Sequence, residues 1–377
     1  MKFVITGGGT GGHLSPALAV LDAIKRSEPS VEILFIGSTT GLEAEIVPNR
    51  GIAYKSIATG KLRRSSRGLL GMLTIANFRD MLAVPKGLID AFRILRTYKP
   101  DAILSTGGYV AVPTSIAAWL LHIPLVIHEQ TTTIGLANRL CCAIAHTVAL
   151  SFEIARGDLP ARARTGAVLT GNPIRKETLA GSSDRAAQRF GYPAELPVLL
   201  VTGGAQGARV INTAITDAIT ELTETHFVIH QCGKQGIDTL SAARDTLPES
   251  TRQRWVLSAF LDADAMADAW AAAQVVIARA GAGTVNEGLI LGKPMIYVPL
   301  EPSSRDEQLR NAERCVELGA AQIVRQAACS GDALSAAVKS IVETPGRMEQ
   351  MQTAAMGNAT LDADERIAKL LISIAIR

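Results

Sequence analysis

At 377 residues the chain is long enough for two domains, on a prior of about 150 residues each. Its make-up, 47% hydrophobic and 19% charged, is that of a globular protein, and a net charge of +3 is too small to argue for a nucleic-acid partner. Five cysteines (Cys141, Cys142, Cys232, Cys315, Cys329), an odd number with no CxxC spacing, argue against a disulfide framework and a structural zinc site and fit a reducing, cytosolic setting.

In chain order, "KFVIT" is a short apolar strand that meets glycine too soon to be the core of a signal peptide. No segment reaches the roughly 20 apolar residues of a membrane span. "GGGTGGH" follows, with Gly7 to Gly12 broken only by Thr10, and then "PALAVLDAIKRS" with a helical stripe. Glycines between strand and helix let backbone approach a ligand and leave N–H groups at a helix start, a setting for an anion such as phosphate. Without a ligand the same run is a tight turn. No acidic residue ends the second strand, "VEILFIGS", which lowers a dinucleotide reading, and no GxxxxGK[ST] is present.

Lys61 to Leu95 mixes Lys61, Arg63, Arg64, Arg67, Arg79 and Lys86 with Leu, Met, Ile and Phe. Such a segment is either a helix with a solvated basic face or one that rests on anionic lipid. "DAILSTGG", "IPLVIHEQ" and "HTVALS" then read as buried strands, and Cys141-Cys142 as small core-facing residues on a helix. "TGNPIRKETLAGSSDRAAQRFGYPAEL" is rich in Gly, Pro and Ser and places a hinge near 165–195. Past it the pattern restarts: "LPVLLVTGGAQGARVINTAI", "HFVIHQCG", "QVVIARAGAGTVNEGL", "KPMIYVPL". Strand–helix alternation of this kind predicts α/β architecture with two doubly wound parallel sheets, whose ligands bind at the carboxyl ends of the strands. The expected domains are 1–165, 166–355 and a C-terminal helix in 356–377 that packs back on the first, with the two glycine turns facing a shared cleft.

The blocks "GGGTGGHLSPALA", "STGGYVAVPTSIAA", "IHEQTTTIGLANRL", "TGNPIR", "VTGGAQGARVIN", "RAGAGTVNE", "GKPMIYVPL" and "DEQLRNAE", in this order, resemble the MurG family of glycosyltransferases across nearly the whole chain. The resemblance implies the two-domain GT-B fold. It also implies inverting transfer of N-acetylglucosamine from UDP-GlcNAc to undecaprenyl-pyrophosphoryl-MurNAc-pentapeptide (lipid I), giving lipid II for peptidoglycan, by a peripheral protein on the cytoplasmic face of an anionic membrane.

The resemblance further implies a donor site in the second half. There Glu287 accepts from the ribose hydroxyls, Ala282, Gly283, Thr284 and Val285 lie by the diphosphate, and Asn286 is a further substrate contact. Leu261 sets its backbone against uracil, and Gln308 and Asn311, three apart on one helical face, read the sugar. Ala205 and Gln206 belong to the second glycine turn, and Arg175 neutralises phosphate charge. In the first half Thr10, Gly11 and Gly12 meet donor or acceptor phosphate, with Tyr109, Thr131 and Asn138 as further substrate contacts. His13 is the candidate general base, with Glu129 as the second catalytic candidate. Taken singly, each polar residue is as well read as a cap or surface contact. Asp262 and Asp264 form "DAD" but read as caps of the next helix, so neither a metal nor a cofactor is expected.

Three positions depart from the family pattern: Thr131 where the family has Asn, Ala205 where it has Ser, and Glu307 where it usually has His. A related transferase with another sugar or acceptor is therefore an alternative. So is a UDP-sugar 2-epimerase, which shares the architecture and donor but needs neither the basic flank nor the first glycine loop. A third is a nucleotide-sugar-binding regulator without activity.

Overall fold

The computed structural model describes residues 1–9, 11–60, 75–303 and 306–376, with residues 75–82 described by their backbone. Thr10 and the basic residues Lys61, Arg63, Arg64 and Arg67 lie outside the described residues. The chain divides into two compact units, Met1–Ile174 with Thr360–Arg377, and Arg175–Ala359. The crossover from Ile174 to Arg175 falls in the Gly/Pro/Ser-rich stretch.

The first unit carries strands β1 (Lys2–Thr6), β2 (Glu32–Gly37), β3 (Ala53–Ser56), β4 (Ala102–Ser105), β5 (Leu125–Glu129), β6 (Thr147–Leu150) and β7 (Val168–Leu169). Its helices are α1 (Gly11–Ser27), α2 (Leu42–Asn49), α3 (Ile75–Tyr98), α4 (Ala111–Leu120), α5 (Leu136–Cys142), the short α6 (Ala161–Arg164) and, from the far end of the chain, α17 (Ala363–Ala375). The second unit carries β8 (Val198–Thr202), β9 (Phe227–Gln231), β10 (Trp255–Ser258), β11 (Ala273–Ala278), β12 (Met295–Tyr297) and β13 (Ala321–Ile323). Its helices are α7 (Lys176–Leu179), α8 (Ser183–Phe190), α9 (Arg209–Thr225), α10 (Ile237–Asp245), α11 (Glu249–Gln253), α12 (Ala263–Ala272), α13 (Ala282–Ile290), α14 (Glu307–Glu317), α15 (Gly331–Val342) and α16 (Arg347–Gly357).

Each unit has one parallel sheet, in the orders β3-β2-β1-β4-β5-β6-β7 and β10-β9-β8-β11-β12-β13. The central strands are apolar throughout because helices cover both faces, as parallel sheets require. Phe3, Val4 and Ile5 of β1 and Leu199, Leu200 and Val201 of β8 are fully buried. The strand order reverses between β1 and β4 in the first sheet and between β8 and β11 in the second. At such switch points the loops leaving the strands diverge and open a crevice at the carboxyl edge. Both glycine-rich loops leave a strand at a switch point.

Local signals set several helix ends. Asp262 caps α12, its carboxylate accepting from Ala265 N at 2.8 Å, and Ser182 and Ser330 cap α8 and α15. Helix α17 buries Ile367, Leu371 and Ile374, spaced at three and four, in the core that holds Phe3, Leu14 and Leu18. Arg26 on α1 pairs with Asp364 at 2.8 Å. Cys141 and Cys142 are buried free thiols on α5.

Candidate active site

In the first unit, Gly7, Gly8 and Gly9 follow β1 with φ of 151°, 154° and 78°. Beneath them lies a fully buried carboxylate that sequence reading missed. Glu43 accepts from Gly9 N at 3.0 Å and from Ser38 N and Oγ at 3.1 and 2.6 Å. A Cβ on Gly8 would lie 2.5 Å from the Glu43 carboxyl carbon, so only glycine lets the loop close over it. The expectation of a loop with free amides is thus corrected in part. The Gly9 N–H already has an acceptor, the Glu43 carboxyl of the same chain. Gly11 and Gly12 open α1 on an exposed edge.

His13 sits in the first turn of α1. Its Nδ1 lies 2.9 Å from Thr106 O and 3.0 Å from Gln130 Oε1. Two oxygens on one ring nitrogen require that nitrogen to carry the hydrogen, which leaves Nε2 as the lone-pair atom. Gln130 Nε2 in turn donates to Thr106 O at 2.7 Å and to His128 Nδ1 at 3.1 Å. His128 is fully buried, which holds its pKa down to about 4, and its Nε2 lies 3.2 Å from Gly171 O.

Glu129 is buried and surrounded by donors. Oε1 accepts from Thr131 N and Oγ1 at 3.1 and 2.9 Å, and Oε2 from Gly135 N and Asn138 Nδ2 at 3.1 and 3.0 Å. These contacts hold the loop from Thr131 to Asn138. In this arrangement both carboxylate oxygens of the second catalytic candidate accept from its own loop. Thr131 and Asn138 are likewise buried and serve this loop. Asn138 Oδ1 has no partner, and a Cβ on the facing Gly107 would lie 2.6 Å from it. Tyr109, half-buried in the loop after β4, packs its ring over Gly9.

In the second unit the loop after β8 exposes Ala205 and Gln206. Gly207, at φ 74°, lies so close to the chain after β9 that a Cβ would sit 2.0 Å from Cys232 O. Gln231 joins this region together: it donates to Thr202 Oγ1 at 3.2 Å and accepts from Leu261 N at 2.8 Å. The Leu261 N–H is therefore occupied, and of its backbone polar groups only the carbonyl is left for a ligand.

After β11 the chain turns through Gly281 into α13, whose first turn has no side-chain cap. Ala282, Gly283 and Thr284 form its first turn, where the dipole favours an anion. The Val285 side chain is fully buried and Asn286 is buried as well. Glu287 lies one turn in. Burial pushes its carboxyl up to about 7, against the pull of the nearby Arg175 guanidinium. Arg175 precedes α7 and is half-buried. Arg279, which sequence reading did not single out, donates to Val298 O and Pro299 O at 2.9 and 3.1 Å beside this turn.

On α14, Gln308 accepts from Leu300 N at 3.0 Å and remains partly exposed. Asn311 is fully buried and donates to Ala280 O at 3.2 Å. Through that bond Asn311 holds the turn that opens α13. Glu307 is the first residue of α14, where a carboxylate suits the helix dipole. Among the described residues no cluster of three or more His, Cys, Asp or Glu is placed to hold a metal ion.

Two Rossmann-like units, each with one parallel sheet and a glycine loop at its switch point, make up the GT-B fold. Models of the glycosyltransferase family 28 N-terminal and C-terminal domains match residues 3–150 and 198–367. The chain belongs to this family. It is 35% identical over 370 residues to the UDP-N-acetylglucosamine–N-acetylmuramyl-(pentapeptide) pyrophosphoryl-undecaprenol N-acetylglucosamine transferase of Treponema pallidum, covering 97% of this chain and 94% of that one. The crystal structure of Acinetobacter baumannii MurG superposes with a TM-score of 0.74 at 26% identity, covering 99% of both chains. A UDP-GlcNAc 2-epimerase from Neisseria meningitidis shares the fold, at TM-score 0.72 but only 14% identity over 99% of this chain and 100% of that one. The epimerase reading is not favoured.

Proposed function

We propose that the protein transfers N-acetylglucosamine from UDP-GlcNAc to the muramyl hydroxyl of lipid I, giving lipid II and UDP with inversion at the anomeric carbon. The observation that carries this reading is the full-length likeness to transferases so named. The donor falls to the second unit. The α13 amides and Arg175 stabilise charge that builds on the UDP phosphates, and Glu287 accepts from the ribose hydroxyls. Gln206 and Gln308, both reaching solvent, serve the phosphates and the sugar.

The acceptor falls to the first unit. His13 Nε2 takes the proton as the acceptor oxygen forms its bond to the anomeric carbon and the bond to the UDP oxygen breaks. Gly11, Gly12 and Tyr109 line the acceptor side. Incubation with labelled UDP-GlcNAc and lipid I is expected to move label into lipid II. Label that stays in the donor, or moves only to another acceptor, overturns the assignment.

The protein works peripherally at the cytoplasmic face of an anionic membrane. Among the described residues no helix is long and apolar enough to cross one. Most of the basic flank lies outside the described residues, but Lys86 on α3 is exposed. Helix α4, which packs on α3, and α5 beside it leave Trp119, Leu136 and Leu140 exposed at 52%, 54% and 61%. Apolar side chains among basic ones suit a headgroup boundary. The protein is expected to float with anionic vesicles and not with neutral ones; equal flotation, or none, counts against this placement.

A further inference from the structure

We propose that Gln130 is a positioning residue that sets the tautomer of His13 and so decides which ring nitrogen faces substrate. This rests on the reading of His13 as base, and it adds a residue for which sequence reading gave no role. The orientation of the Gln130 amide follows from its neighbours. The atom 2.7 Å from Thr106 O must be the nitrogen, because an oxygen there would face a carbonyl with no hydrogen between them. The oxygen then points at His13 Nδ1, 3.0 Å away, and joins Thr106 O as a second acceptor there.

The same amide nitrogen donates to His128 Nδ1 at 3.1 Å. His128 therefore carries its hydrogen on Nε2, toward Gly171 O at 3.2 Å, with Ser151 Oγ 3.1 Å from the same atom. One amide thus fixes both imidazoles in opposite tautomers. A flipped amide breaks the bonds to Thr106, His13 and His128 together. His128 is the other titratable group facing His13, and burial keeps it neutral down to about pH 4. Nε2 is the His13 ring nitrogen left to face substrate.

The test uses the full chain with 15N-labelled histidine, the His13 signals being assigned by their loss in His13→Ala. In the unaltered protein at mildly alkaline pH, Nδ1 is expected to carry the hydrogen. In Gln130→Leu the Nε2–H form is expected to gain at its expense, and kcat to fall about tenfold or more with KM for UDP-GlcNAc nearly unchanged. Gln130→Glu, close in shape, sets a carboxylate against Nδ1. It is expected to raise the His13 pKa by about one unit or more and to carry the acid limb of the kcat–pH profile with it. That variant decides the matter if Gln130→Leu fails to fold. An Nε2–H tautomer in the unaltered protein overturns the proposal. So does an unmoved tautomer in Gln130→Leu, or an unmoved His13 pKa in Gln130→Glu. Full turnover by His13→Ala defeats the base reading alone, since the tautomer is read without catalysis.

Discussion

His13→Ala is expected to lower kcat by about 10²–10⁴-fold while KM for UDP-GlcNAc changes by no more than about twofold. The imidazole stands at the start of α1 with its Nδ1 committed to Thr106 and Gln130, so one basic atom is left, at Nε2. A base acts only in the transition state, and its loss therefore falls on kcat rather than on donor binding. The residues proposed for the donor belong to the other unit, which makes the expected split sharper. Steady-state kinetics with saturating lipid I measure it. A His13→Ala enzyme within about threefold of the unaltered kcat would return the base to an unassigned residue.

Glu287→Ala is expected to raise KM for UDP-GlcNAc by roughly 10²-fold or more, because hydrogen bonds to a charged acceptor contribute about 1.5–3 kcal/mol each and the ribose offers two donors. The same carboxylate has a cost in the empty protein. Burial lifts its pKa from the ordinary 4.5 to about 7. Across that window the folded chain holds a proton that the unfolded chain has released. Stability therefore falls as pH rises through the window, and the loss is complete above about pH 7. Glu287→Gln removes the charge at nearly constant shape. It is expected to be more stable than the unaltered protein at about pH 8, by an amount on the order of 1–3 kcal/mol, and equal to it at about pH 4. For the unaltered enzyme, donor KM is expected to fall from about pH 6 to about pH 8 as the carboxylate ionises; in Glu287→Gln this dependence flattens. Denaturant titrations and pH-resolved kinetics check both. A variant with unchanged donor KM, or one no more stable at alkaline pH, would remove Glu287 from the ribose site.

Much of the architecture is legible in the sequence for one physical reason. Strands buried on both faces read as unbroken apolar runs, and those at the switch points end in glycine where the backbone must turn sharply. The strands missed are the short or weakly apolar ones: "AYKS" of β3, "VL" of β7, "WVLS" of β10 and "AQI" of β13, which lie at or near the sheet edges. Largely exposed or half-buried and only two to four residues long, they carry no pattern that a loop lacks.

The site was legible in a different way. The order of the motifs points to candidate residues, but their individual roles depend on distant partners. Glu43 lies in "GLEAEIV", which reads as an ordinary helix surface, yet it holds the backbone 34 positions earlier. Gln130 meets His13 across 117 positions. Glu129 and Asn311 have the residue types that bind sugars, and each also holds a loop of its own chain. No local spacing distinguishes a carboxylate facing a ligand from one facing its own backbone.

Helix α17 gives the first unit an unusual history. Its partner α1 begins at Gly11, so the two halves of that packing are made at opposite ends of synthesis. The second unit is one continuous stretch and can close as soon as Ala359 has emerged. The first cannot: the side of α1 that meets Ile367 and Leu371 stays wet until the ribosome has passed residue 375. The lobe translated first is thus the lobe finished last, and its newborn apolar flank is the surface a chaperone would meet.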